Sequence, residues 1–188
     1  MNNNLWYVIG GIGVFVLYVI AVFNGLISRR NQVREAWATV LTQLKRRHDL
    51  IPNLVATVKA AAAHEKSTLE AVIKARNAAV GNHDAAEASK LENNLAGALK
   101  QVFALSESYP ALRANENFVE LQRELSDTEN KIQSSRQFYN TVVMALNISV
   151  EQFPSNIVAN MFNVRQEKLF ELDEAERAVV KTAPKVQF

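Results

Sequence analysis

The sequence predicts an all-α protein in which an N-terminal transmembrane helix precedes an elongated antiparallel bundle of about four helices. Three observations predict this fold: the run Leu5–Ile27 has no charged residue, apolar residues elsewhere recur at alternating spacings of three and four, and only six glycines and four prolines interrupt the 188 residues. The spacing is that of one helix face, as in bundles and coiled coils, and the scarcity of breakers favours long helices. We therefore expect an anchor at 1–27, a bundle at 28–181 and an extended tail at 182–188.

The uncharged run is long enough to cross a membrane, because a helix rises about 1.5 Å per residue and the hydrocarbon core is about 30 Å thick. Trp6 and Tyr7 stand at its start, where aromatic rings favour the headgroup level. Arg29, Arg30 and Arg34 follow its end, within reach of lipid phosphates. A cleaved signal peptide would need a basic head and a shorter apolar core. A buried core helix is the other alternative, and we favour an anchor whose partner is the lipid bilayer.

Basic residues are concentrated beside this run, and their position predicts the orientation. Between Ser28 and Asp49 there are six basic and two acidic residues, a balance of +4 in a chain whose net charge is +2. The nearest arginines follow the run and none precedes it. Because positive residues favour the cytoplasmic side, we expect a single-pass protein of the cytoplasmic (inner) membrane, with its N-terminus outside and its C-terminal domain cytoplasmic.

Three apolar stripes predict the long helices of the bundle. The first stripe, between residues 31 and 80, comprises Leu41, Leu44, His48, Ile51, Val55, Val58, Ala62, Glu65, Leu69 and Val72. The second comprises Ala88, Leu91, Leu95, Ala98, Val102 and Leu105. The third comprises Phe118, Leu121, Leu125, Thr128, Ile132, Ser135, Tyr139, Val142 and Leu146.

Capping residues predict where these helices begin and end. Gly81 suits the end of the first helix. Asp84, with Glu87 three residues later, predicts a capping box for the second. Asn115 predicts the N-cap of the third, and the second is expected to end near 106–110.

Two prolines interrupt the helical pattern. Pro52 lies inside the first stripe, where it removes a backbone donor, and it predicts a kink or break near Asp49–Pro52. Pro154 ends the third helix, after which Ser155 or Asn156 is expected to cap a shorter fourth helix. An unbroken first helix would exceed the second by about 40 Å. Either the first helix folds back at Pro52, or the third and fourth helices cover the unmatched stripe, or another protomer does. The last option predicts a possible homo-oligomer.

Five segments carry a resemblance to a known family: RRNQVREAW, QLKRRHDLIPNLVATVKAAAAHEKSTLEAVIKAR, SRQFYN, FPSN and the terminal APKVQF. In this order they resemble the LemA family of bacterial membrane proteins over nearly the whole chain, and the block Leu44–Ala75 is the specific part. The resemblance implies an anchored helical bundle that acts as a scaffold or accessory protein. It brings no catalytic residues.

The chain departs from the family pattern at three places. Phe23-Asn24 and Leu146-Asn147 stand where the family tends to place tyrosine-asparagine pairs. Met161-Phe162-Asn163 lacks an expected glycine, which leaves the shape of that turn open.

No motif identifies a catalytic or metal-binding site. The chain has no cysteine, which excludes disulfides, thiolate ligands and cysteine nucleophiles. His64-Glu65 begins like a zinc-protease motif, but Thr68 occupies the position of the second histidine. His48-Asp49 has no nucleophile placed beside it. We expect a non-enzymatic protein with no cofactor and no metal. The alternative is a metal- or histidine-dependent enzyme that uses His48, His64 and nearby carboxylates.

Lys45, Arg46 and Arg47 form a second basic cluster, about 27 Å beyond the membrane end of a straight helix and outside a Debye length of about 8 Å. These residues either contact a partner protein or solvate the helix. No nucleic acid is expected, because the overall charge is near balance. We expect a membrane scaffold whose partners are unidentified membrane or cytoplasmic proteins. Four polar residues of the stripes either line a groove or set the helix register: Glu65, Thr128, Ser135 and Tyr139.

Overall fold

The computed structural model describes residues 3–62, 64–81 and 84–170. These residues form six helices: α1 Asn3–Ala61, α2 Lys66–Ala79, α3 Ala85–Ser108, α4 Pro110–Arg113, α5 Glu116–Glu151 and α6 Ser155–Met161. The described residues contain no strand. The predicted all-α fold class is therefore confirmed. The predicted tail at 182–188 lies outside the described residues.

A kink or break was predicted near Pro52; helix α1 continues through this residue, so the break is wrong. Proline has no amide hydrogen, and it leaves the carbonyl group of His48, four residues earlier, without its helical donor. Arg76 of α2 replaces that donor, since its Nε donates to the His48 carbonyl oxygen at 2.8 Å. The exposed proline ring faces away from Ile51 and Leu54, which are fully buried. A neighbouring helix thus supplies the hydrogen bond that the proline removes.

The interruption of the first bundle helix comes instead after Ala61, and the chain resumes helix at Lys66. The predicted helix over 31–80 is therefore two helices, of which α2 packs against α3. Glu65, just before α2, accepts a hydrogen bond from the Tyr109 hydroxyl at 2.8 Å.

The predicted starts of α3 and α5 are confirmed by their capping contacts. Asp84 Oδ1 accepts hydrogen bonds from the amides of Ala86 and Glu87, at 3.1 and 2.9 Å. Asn115 Oδ1 accepts from the amide of Phe118 at 3.2 Å. These side chains satisfy amides that lack intrahelical acceptors. The four-residue helix α4 was not predicted.

The fourth predicted helix exists as α6, but its predicted cap is wrong. Residue Pro154 precedes the first helical residue and offers no side-chain cap. The Ser155 hydroxyl donates backwards to the carbonyl oxygens of Ser149 and Gln152, at 2.7 and 2.8 Å. After α6, Asn163 adopts a left-handed conformation with φ of 53°. Asparagine tolerates this region better than most residues, so the turn forms without the expected glycine.

The chain forms two compact units. Unit 1 comprises Met1–Ala38 and Phe138–Glu167, and unit 2 comprises Thr39–Gln137 and Lys168–Phe188.

In unit 1, segments of α1 and α5 run antiparallel. Trp37 packs against Tyr139 with ring centroids 5.2 Å apart, and Arg29 Nη1 donates to the Ala145 carbonyl oxygen at 2.8 Å. The residue number falls in α1 as it rises in α5, which defines the antiparallel direction. The buried apolar residues of this unit are Leu26, Val33, Ala36, Tyr139, Val143, Leu146, Val158, Ala159 and Val164.

The two residue pairs that replace tyrosine-asparagine pairs of the family hold the end of unit 1 together. Phe23 packs against Phe162 with ring centroids 4.4 Å apart. Asn147 donates to the Glu167 carbonyl oxygen at 3.0 Å and accepts from the Glu167 amide at 2.9 Å. The segment after α6 is thereby fastened to α5 through both backbone groups of one residue.

The core of unit 2 confirms most of the predicted stripes. Its buried cluster comprises Ile51, Leu54, Val58, Ala62, Leu69, Val72, Ala79, Leu95, Leu99, Val102, Leu112, Phe118 and Leu125. Leu41 is exposed, contrary to the predicted stripe. In α5, the buried residue is Val143 rather than Val142, because the face drifts by one position along a helix of 36 residues.

Replacing Arg76 by Met should lower the free energy of unfolding by about 1.5–3 kcal/mol, because it leaves the His48 carbonyl group unpaired. In a Pro52→Ala background the new amide supplies the helical hydrogen bond, so the same replacement should cost much less. Denaturant unfolding of the four variants measures this coupling.

Lys74→Met, on the exposed side of the same helix, is the matched control and should leave the unfolding free energy nearly unchanged. Equal losses on Arg76→Met with and without Pro52 would contradict the replacement of the missing donor.

Candidate functional site

The second basic cluster is divided between the surface and the core. Lys45 and Arg46 are exposed, and Lys45 pairs with Asp49 one turn later at 2.5 Å. Arg47 is only 2 % exposed, and the neighbouring His48 is also buried. Both lie on the face of α1 that carries Ile51. Arg47, predicted as a possible partner-binding residue beside two surface cations, instead has its side chain inside unit 2.

Arg47 is held by two carboxylates from different helices. Its Nη2 pairs with Glu92 Oε2 of α3, and its Nη1 pairs with Glu129 Oε2 of α5. Nη2 also approaches the Glu92 carbonyl oxygen at 3.5 Å. An arginine fork can bind two acceptors in fixed directions, which lysine cannot do. The guanidinium therefore ties α1 to α3 and α5.

The other oxygen of Glu92 is also engaged. His48 Nε2 lies 2.7 Å from Glu92 Oε1. Together with the bond from Arg76 to the His48 backbone, these contacts join four helices at one point. We call Arg47, His48, Arg76, Glu92 and Glu129 the Arg47 cluster.

Glu92 is ionised inside this cluster. Burial raises the pKa of its carboxyl group, since Glu92 is only 3 % exposed. Hydrogen bonds and charge from His48 and Arg47 together lower this pKa by more than burial raises it. The net effect holds the pKa below its ordinary value of 4.5. A buried carboxylate with both oxygens paired stabilises the buried guanidinium beside it.

Sequence reasoning missed Glu92 by choosing its neighbour. The predicted stripe of the second helix passes through Leu91, whereas the buried face passes through Glu92, between Ala88 and Leu95. Spacings of four and three fit Glu92 as well as apolar residues do. The available signal was an acidic residue in register with a core stripe, together with Arg47, which fits the spacing between Leu44 and Ile51 as well as His48 does.

Beside this cluster, α3 and α5 border a groove of about 550 Å³. Its charged lining residues are three cations, Arg47, Lys100 and Arg136, and one carboxylate, Glu129. When Glu92, which pairs with Arg47 from outside the lining, is included, three positive and two negative groups leave a net charge of +1. Gly97 leaves part of the wall open. We call this the α3–α5 groove.

Two features of the α3–α5 groove bear on what it can bind. Buried Nε of Arg47 has no hydrogen-bond partner among the described residues. The guanidinium of Arg136 lies over the ring of buried Phe170, 4.4 Å from its centroid. The groove thus offers cationic groups next to apolar surface, which suits a carboxylate carried on an apolar segment.

The polar residues of the predicted stripes do not line this groove. The hydroxyl groups of Thr128 and Ser135 donate to carbonyl oxygens four residues earlier, of Glu124 and Lys131. Their contacts favour the interpretation that they are structural.

The two histidines predicted for the alternative, enzymatic interpretation lie in different environments. His48 borders a smaller cavity of about 270 Å³ that also touches Glu92, whereas His64 is exposed in the turn after α1. Among the described residues, no group of three or more histidine or acidic side chains could hold a metal ion. His83 lies outside the described residues. The enzymatic alternative stays a hypothesis.

The N-terminal part of α1 is the one described helix long and apolar enough to cross a membrane, by length and composition. None of its most apolar window is buried inside the protein. Trp6 and Tyr7 are exposed, as are Arg29 and Arg34, while Arg30 is half-buried.

These features define a class: all-α proteins with an exposed apolar N-terminal helix and a bundle tied together by buried charges. The sequence profile of the LemA family matches residues 36–188, and this chain belongs to the LemA family. It is also similar to Protein LemA of Metamycoplasma hominis, with 25% identity over 177 residues that span 92% of this chain and 79% of that protein. Family membership and the apolar helix fit a membrane-associated protein.

Replacing Glu92 by Gln should lower the free energy of unfolding by about 3 kcal/mol, because it leaves the buried Arg47 charge with one carboxylate. Glu129→Gln is the matched control. The Glu129 side chain is 38% exposed, so its loss should cost under about 1 kcal/mol. Urea unfolding of the full chain in detergent micelles measures both, and equal losses would contradict the dominant role of Glu92.

The loss of unfolding free energy in Glu92→Gln should also depend on pH. A carboxylate whose pKa is lowered on folding stabilises the folded state above its ordinary value of 4.5, and that contribution is lost as pH falls through the lowered pKa. Glutamine does not titrate, so the difference between the two proteins should be constant near neutrality and shrink in acid.

Proposed function

We propose that this protein is a non-enzymatic scaffold, anchored to the membrane by α1, that holds a partner protein in the α3–α5 groove. The observation that carries the proposal is that none of the most apolar window of α1 is buried, whereas α2, α3 and most of α5 bury an apolar face. Such a surface has no favourable environment in water, and a bilayer supplies one.

The contacts of the Arg47 cluster support a structural rather than a catalytic role. A general base needs a free lone pair directed at its substrate. Both Glu92 oxygens and His48 Nε2 are already paired within the protein. The cluster is suited to holding helices together.

The charge of the groove indicates the kind of partner. Its net positive lining and adjacent apolar surface favour an acidic segment of a membrane or cytoplasmic protein. Lys45 and Arg46 remain exposed on α1 and are available for a partner as well. We place the bundle in the cytoplasm, because the arginines follow the apolar run.

Cysteine labelling tests the orientation, since the native chain contributes no thiol. In intact cells, a membrane-impermeant thiol reagent should label Asn3→Cys and leave Asn94→Cys, an exposed residue of α3, unlabelled. Labelling of both variants after lysis is the control for reactivity. Labelling of Asn94→Cys alone in intact cells would invert the proposed topology.

Filling the groove should abolish partner recruitment. A Cβ added at Gly97 meets no atom within 4 Å, so Gly97→Trp can occupy the groove without disturbing the helix backbone. Proximity labelling from the membrane-anchored chain should recover partners that fall about tenfold or more in the variant, equivalent to a loss of about 1.4 kcal/mol of binding.

Asn94→Trp, on the same helix but outside the groove lining, is the matched control and should retain the partners. An unchanged partner profile in Gly97→Trp would remove the groove from the proposal. No enrichment over an unrelated anchored protein would count against the scaffold itself.

A further inference from the structure

The end of α5, the turn after it and α6 expose an unusual amount of apolar surface. No residue from Gln152 to Val164 is charged. Five large apolar side chains in this region are between 47% and 75% exposed: Ile148, Phe153, Ile157, Met161 and Phe162. We call Ile148 together with residues 152–162 the α5–α6 corner, and the exposed Glu151 stands at its border. An apolar patch of this kind on a water-soluble surface marks an interaction site.

The charged residues that flank the corner have partners of their own. Glu151 accepts a hydrogen bond from the Gln166 side chain at 2.6 Å. Arg165 Nε donates to Asn163 Oδ1 at 3.0 Å. The corner itself thus carries exposed apolar side chains with uncharged polar ones such as Asn160 between them, and the charged groups of Glu151 and Arg165 lie at its border.

Contacts within unit 1 place the corner beside the uncharged run of α1. Arg29, just after the run, bonds to Ala145, and from there α5 continues towards the N-terminal end of α1. Glu151 is six residues beyond Ala145, which is roughly 9 Å along the helix. Phe23 is six residues before Arg29, again roughly 9 Å. Glu151 and Phe23 therefore lie at about the same height along the two antiparallel helices. The packing of Phe23 against Phe162, shortly after Glu151 in the chain, agrees with this height.

That level corresponds to the edge of a bilayer. The uncharged run extends for about 34 Å, a few ångströms more than the hydrocarbon core of about 30 Å. Its last residues therefore lie among the headgroups, and Phe23 lies near the hydrocarbon boundary. The side chains that share its level are those of the α5–α6 corner.

We propose that the α5–α6 corner is a second membrane-contacting element, which inserts its apolar side chains into the leaflet that α1 leaves at Arg29. The inference rests on the proposed anchor. A bilayer is favoured over a protein partner because the corner is continuous with the apolar run through Phe23 and Phe162 and bears no charge that would select a protein. Unit 1 is then held at the membrane by two contacts rather than by a single tether.

Three single-cysteine variants of the full chain test this insertion: Phe15→Cys in the middle of the run, Ile157→Cys in the corner and Asn94→Cys on α3. Each would carry an environment-sensitive fluorophore and be reconstituted into vesicles of phosphatidylethanolamine and phosphatidylglycerol. Nitroxide-labelled lipids would report depth, with the nitroxide either near the headgroup or near the end of the acyl chain.

The Ile157 label should be blue-shifted and quenched about twofold more strongly by the shallow nitroxide than by the deep one, as expected for side chains ~5–10 Å below the surface. The Phe15 label should be quenched more by the deep nitroxide, and the Asn94 label by neither. Circular dichroism should be the same for all three variants, since each position is exposed.

Quenching at Phe15 without quenching at Ile157 would overturn the proposal and leave the anchor intact. Absence of quenching at both positions would overturn the anchor and the corner together. A blue shift at Ile157 that grows with protein density and is insensitive to both nitroxides would assign the corner to a second copy of the chain, which also overturns the proposal.

Discussion

The pairing of Arg47 with Glu92 is the constraint on which unit 2 depends. A guanidinium that is almost completely buried must have carboxylate partners, because an unpaired buried charge costs several kcal/mol. The partners are on α3 and α5, so α1 can pack correctly only when those helices are in register with it. Apolar side chains alone would allow the helices to shift along one another, since hydrophobic contacts are not directional. The buried charges thus select one arrangement.

The same point in the structure resolves the conflict between proline and helix. Pro52 would orphan the His48 carbonyl group, yet that carbonyl accepts from Arg76, while the His48 ring contacts Glu92. One residue therefore uses its backbone to bind α2 and its side chain to bind α3. A local defect in the hydrogen bonding of α1 has become a specific contact between helices.

Unit 1 is organised by a different constraint, the long uncharged run of α1. The contacts of Phe23, Arg29 and Trp37 bring the end of α5 and all of α6 alongside the last turns of that run. From Gln152 to Val164 the side chains are as free of charge as the run itself. This agreement between two segments that are distant in sequence is what links α6 to the proposed membrane surface. The family assignment of residues 36–188 covers this region but not the run.

Periodicity and capping residues by themselves determined the fold class, the starts of α3 and α5 and most of the core, because these depend on spacing within one segment. The sequence also identified the apolar run, because its length and lack of charge are properties of one segment and do not depend on another helix. It placed Arg47 at the surface, missed Glu92 and broke α1 at Pro52, because each outcome depends on a group from another helix. Charge is costly to bury alone and stable when paired, so tertiary structure decided which charged residues entered the core.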